Sequence, residues 1–99
     1  MELKNIKSVY FVGAGGIGMS AIARYFLHIG VVVAGYDKTP SALTKELEKE
    51  GMDIHYEENV ALIPAACKDA SSTLVIYTPA IPQEHQELVY FHENGFTIE

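Results

Sequence analysis

Ser8-Val9-Tyr10-Phe11-Val12-Gly13-Ala14-Gly15-Gly16-Ile17-Gly18 is the stretch on which the fold turns. The unbroken apolar run from Val9 to Val12 suits a strand buried on both faces of a parallel sheet. It stops at a G-x-G-x-x-G loop made by Gly13, Gly15 and Gly18. In such a loop the first glycine permits a tight turn and the second lets backbone approach a phosphate. The third lets the following helix pack close to the sheet. Gly18, Ala21, Ile22, Tyr25, Phe26 and Ile29 then recur at helical spacing and predict an inward stripe, with Gly30 placed to end the helix. The amide groups at the start of that helix, with its macrodipole behind them, offer about half a positive charge to an anion. The loop does not follow the G-x-x-x-x-G-K-[ST] pattern, so it is not expected to hold ATP with magnesium.

Further along, Val31 to Tyr36 reads as a second buried strand with Asp37 at its end. An acidic residue there commonly accepts hydrogen bonds from ribose hydroxyls. Thr39-Pro40-Ser41 reads as a helix start, with proline in the first turn, and the helix to about Glu50 buries Leu43 and Leu47. Asp53 to Tyr56 is a short third strand, and Asn59 to Ala66 a short helix interrupted near Pro64. Thr73 to Tyr77 is the fourth strand, which Thr78-Pro79-Ala80-Ile81-Pro82 cannot continue because two prolines remove ladder donors. Gln83 to Asn94 is a helix with Leu88, Tyr90 and Phe91 inward, and Phe96 opens a fifth strand. Strands alternating with helices at this spacing predict a Rossmann-like, three-layer αβα domain of the α/β class, with a mainly parallel sheet of about five strands. A ligand then belongs at the carboxyl ends of the strands.

With 99 residues the chain holds one domain, spanning 1–99. Its formal charge of −6 argues against nucleic acid or an anionic membrane as the main partner, since both demand a basic surface. A lone cysteine, Cys67, excludes an internal disulfide and fits a reducing compartment. No apolar run approaches the roughly 20 residues of a membrane helix, and Met1 to Asn5 lacks a signal-peptide layout, so the expectation is a cytoplasmic protein. Phe96 to Glu99 reads as an opening strand with nothing after it, as in a module of a longer protein.

Other chemistry finds little support. Cys67 has no histidine partner nearby in sequence and reads as an ordinary thiol. His85 and His92 are about 10 Å apart along a helix, too far to share a metal. His28 is favourable at a helix C-terminus. Glu84 and Glu87 share a helix face with no pocket to shift them, so acid–base catalysis is not indicated.

Val12 to Ser20 resembles the glycine loop of the UDP-N-acetylmuramate–L-alanine ligase group of the Mur ligases. Gly35-Tyr36-Asp37 with Ser41 and Thr44 is similar to the segment after strand two in that family. His55 to Val60 is similar to its His-x-x-x-Asn stretch, and Thr78-Pro79-Ala80-Ile81 to its Ser-x-Ala-Ile turn. The sequence departs from the family at Tyr36, where serine is common, in a shortened Gly51 to His55, and at Thr78-Pro79. The resemblance implies the first of three domains, binding the UDP part of UDP-N-acetylmuramate and holding no cofactor itself. ATP with magnesium would bind a central domain, and a C-terminal domain would help receive L-alanine. It further implies that Gly13, Ala14, Gly15, Gly16, Ile17, Gly18 and Met19 face the diphosphate through backbone amides. Asp37 would meet the uridine ribose or base, Thr78, Pro79, Ala80 and Ile81 the uracil or sugar, and His55 would contribute beside them. The glycine loop and Asp37 alone fit an NAD-binding domain equally well, and that alternative stays open.

Overall fold

Every position of β1 (Ser8–Val12) is buried, as its unbroken apolar run predicts. The computed structural model describes residues 2–16 and 18–99. β1 lies between β2 (Val32–Tyr36) and β4 (Thr73–Tyr77), while β3 (Asp53–His55) and β5 (Thr97–Ile98) flank them. The strand order is β3-β2-β1-β4-β5 and all four pairings are parallel. The register sets Val12 level with Tyr36 and Tyr77 at the carboxyl end of the sheet. The order reverses between β1 and β4, and that crevice is where open α/β sheets bind ligands.

The two faces of the sheet follow the alternation along β1. Val9 and Phe11 pack with Val33 and Ile54 under α1 (Met19–His28) and α2 (Ala42–Lys49), which contribute Ala23, Phe26 and Leu47. Tyr10 and Val12 pack on the opposite face with Ala34 and Val75, beneath Ile63, Cys67 and Phe91. That side is covered by α3 (Gln86–Glu93) and by 3-10 turns at Val60–Leu62 and Ala65–Lys68. The expected three-layer αβα architecture is therefore present.

Details differ from the sequence expectation for identifiable reasons. α1 does not bury the stripe through Gly18, Ala21, Ile22, Tyr25 and Ile29; of the predicted set only Phe26 is buried, while Ile22, Tyr25 and Ile29 are exposed. The inward residues are Met19, Ala23, Phe26 and Leu27, also at helical spacing, and the small Ala23 lets the helix lie close on the sheet. In α2, Ser41 is the N-cap and Thr44 completes a capping box, so Pro40 stands before the helix and not in its first turn. Thr44 is buried together with Leu47, whereas Leu43 is half-buried. Asn59 to Ala66 forms two 3-10 turns on either side of Pro64 in place of one helix. β3 stops at His55, β5 starts at Thr97, and α3 starts at Gln86 because residues 83–85 form a turn with His85 as N-cap. Glu87, read from sequence as sharing a helix face with Glu84, is completely buried, whereas Glu84 is exposed.

Candidate functional site

A cavity of about 460 Å³ opens at the carboxyl ends of the strands, at the reversal between β1 and β4. Among the residues singled out from sequence, Gly13, Gly15, Gly16, Asp37, Thr78, Ala80 and Ile81 line it. Tyr36, Lys38, Glu58, Pro82 and His85 complete the wall. Ala14 is buried beneath the loop, Met19 packs on the core, and Gly18 and Pro79 are exposed without lining the cavity. Ile17 lies outside the described residues.

The loop is held mostly by its own backbone. Gly13 and Ala14 N–H both donate to the Tyr36 carbonyl at 2.8 Å, Gly16 N–H to Gly13, and Met19 N–H to Gly16. The expectation that all these amides face a diphosphate is therefore corrected, because four of them are spent inside the fold. Gly15 N–H is different. It donates to a side chain, Asp37 Oδ1, at 3.3 Å and at an exposed position. The other Asp37 oxygen accepts from Thr39 N–H at 3.4 Å and ties the carboxylate to the loop after β2.

The glycines also make room for a side chain. A Cβ at Gly13, whose φ is +100°, would stand 2.4 Å from Thr78 Cγ2, and one at Gly16 would stand 2.7 Å from it. The Thr78 methyl thus packs onto the loop from the end of β4, while its Oγ1 accepts from Ala80 N–H at 3.0 Å and shapes the turn. This contact joins the two strands that bound the crevice.

His55 does not line the cavity. Its Nε2–H donates to Glu87 Oε2 at 2.8 Å, and the same oxygen accepts from Asn59 N–H at 3.1 Å. The Tyr10 hydroxyl donates to Glu87 Oε1. Burial first, then the adjacent Glu87 carboxylate, push the Tyr10 hydroxyl far above the ordinary tyrosine range, so it remains a donor. Glu87 thereby ties β1, the end of β3 and the Asn59 turn to α3. Sequence reasoning missed this residue, although its place beside Leu88 and one turn before Phe91 puts a carboxylate on the apolar stripe. Cys67 is buried and its thiol is pushed up to about 11, chiefly by desolvation, so it is an inert core group. Among the described residues no cluster of His, Cys, Asp or Glu could hold a metal ion.

A parallel sheet of this order, with a glycine loop at its switch point, defines a Rossmann-like α/β domain. A family profile described as "Mur ligase family, catalytic domain" matches residues 8–99. The chain belongs to the Mur ligase family. It is 62% identical over 99% of its length to the UDP-N-acetylmuramate–L-alanine ligase of Parabacteroides distasonis. It is 59% identical, also over 99%, to that of Phocaeicola vulgatus. In both cases the chain spans about a fifth, 21%, of the relative's length. Among solved structures, a murein peptide ligase from Psychrobacter arcticus superposes with a TM-score of 0.76 at 21% identity, over 94% of this chain and 18% of that one. The UDP-N-acetylmuramate:L-alanyl-gamma-D-glutamyl-meso-diaminopimelate ligase of Neisseria meningitides gives 0.75 at 17%, over 95% of this chain and 28% of that one. These two likenesses concern the fold.

Proposed function

We propose that this chain is the domain that binds the UDP part of UDP-N-acetylmuramate in an ATP-dependent ligase adding L-alanine to it during peptidoglycan synthesis. The observation that carries this reading is the 62% identity, across nearly the whole chain, to a UDP-N-acetylmuramate–L-alanine ligase. The cavity supports it. Its volume falls within the roughly 300–1,000 Å³ usual for small-molecule sites, and its walls combine a glycine loop with the apolar Ala80, Ile81 and Pro82.

In this reading a diphosphate oxygen takes the Gly15 N–H from Asp37, aided by the positive end of α1. Asp37, released, accepts from the ribose hydroxyls, and Lys38 at the rim adds a cation near the phosphates. Thr78 and the glycines beneath it fix the floor, and His55 acts indirectly by holding the Asn59 turn through Glu87. ATP and magnesium belong to other parts of such a ligase. This chain has no G-x-x-x-x-G-K-[ST] loop, and no phosphoryl-transfer step is assigned to its residues. Its contribution to the reaction is to hold and orient the nucleotide end of the substrate.

Gly15→Ala tests the assignment. The new Cβ would stand 3.2 Å from Asp37 Oδ2 and 3.3 Å from Thr44 Cγ2, crowding the place where phosphate must approach backbone. Calorimetric titration with UDP is expected to show affinity reduced at least about tenfold in a folded variant. An unchanged affinity would remove the phosphate from this loop.

A further inference from the structure

His85 is the N-cap of α3, and its Nδ1 accepts the Glu87 N–H at 3.2 Å. That use of the Nδ1 lone pair puts the ring proton on Nε2, which is therefore a donor. His85 is 5% exposed and lines the cavity, yet its buried Nε2 has no hydrogen-bond partner among the described residues. Buried donors are nearly always satisfied, so one left unmet in the wall of a cavity points to a ligand.

The neighbours define what that ligand atom is. Glu58 Oε1 stands 3.7 Å from Nε2, beyond hydrogen-bond reach, while Oε2 accepts from Gln86 N–H at 2.9 Å. A carboxylate this near disfavours a phosphate oxygen at the same place, which leaves a neutral acceptor. The Tyr36 ring lies 4.7 Å from the imidazole, and Ile81 and Pro82 also line the cavity, so the surroundings suit a flat ring. The Glu58 side chain is 39% exposed.

We infer that His85 reads the base: its Nε2–H donates to a neutral ring carbonyl of the nucleotide, a pyrimidine carbonyl in the case of UDP. This inference rests on the UDP reading above and adds a specificity-determining residue to it. His85→Asn isolates the donor, because asparagine is a strong N-cap acceptor and can keep the bond to Glu87 N–H while lacking the distal N–H. The chain and its variant are titrated calorimetrically with UDP and with inorganic pyrophosphate. UDP binding is expected to weaken about five- to thirtyfold, while pyrophosphate binding stays the same. In the unaltered chain, the imidazole Nε2–H resonance should move on addition of UDP and not of pyrophosphate. Equal UDP affinity in chain and variant, with a still resonance, would reduce His85 to a helix cap and overturn the inference while leaving the UDP reading intact. Equal losses for both ligands would also overturn it. Absence of UDP binding by the unaltered chain would overturn both.

Discussion

Glu87→Ala is expected to lower the stability of this chain by about 3–5 kcal/mol, the usual cost of removing one partner from a buried charged network. The carboxylate is completely buried and accepts from Tyr10, His55 and the Asn59 amide, so its removal takes away the acceptor that these three donors share. For a domain of this size each kcal/mol corresponds to roughly 4–8 °C in Tm, so the melting temperature should fall by more than about 10 °C. Glu87→Gln keeps one acceptor oxygen and should cost less than half as much. Thermal unfolding followed by circular dichroism distinguishes the two. A loss below about 1 kcal/mol for the alanine variant would mean that the network is solvated and does not join the elements as described.

The second large effect concerns the loop floor. Gly16→Ala places a Cβ 2.7 Å from Thr78 Cγ2 and 3.2 Å from the Gly13 carbonyl, and overpacking of this kind costs about 1–3 kcal/mol. Thr78→Ser removes the offending methyl while keeping the oxygen that accepts from Ala80 N–H. Combined, the two substitutions should be less destabilising than their sum, with a coupling of about 1 kcal/mol or more in a double-mutant cycle. The residual cost reflects the Gly13 carbonyl, which serine does not relieve. Additive losses would show that the glycine leaves room for something other than the threonine methyl.

The fold was legible where an unbroken apolar run leaves little choice. Ser8–Val12 and Thr73–Tyr77 are continuous apolar or small stretches, and both are strands with the expected limits. The alternation of strand and helix was enough to imply the parallel sheet and the end at which its cavity opens. The rotation of α1 was not legible, because two apolar stripes share that helix and the one that packs on the sheet is Met19, Ala23, Phe26 and Leu27. The start of α3 was missed because histidine is an uncommon N-cap, so nothing local marked His85 as one. The same side chain escaped notice as a cavity residue, since its role depends on Glu58 and Tyr36, distant in sequence. The burial of Glu87 was not foreseen for a related reason: a glutamate on a helix is ordinarily solvated, and its partners lie on three other segments of the chain. Asp37 and Gly15 were both found by motif, but their mutual hydrogen bond was not, because motifs name positions and leave side-chain orientation open.

In the proposed function the cavity between β1 and β4 takes the UDP end of a nucleotide sugar. The most direct measurement is calorimetric titration of this chain, in parallel, with UDP-N-acetylmuramate, UDP and NAD. Saturable binding of both uridine ligands, with no heat from NAD, is the predicted result. Binding of NAD without binding of either uridine ligand would contradict the account and return the glycine loop to a dinucleotide.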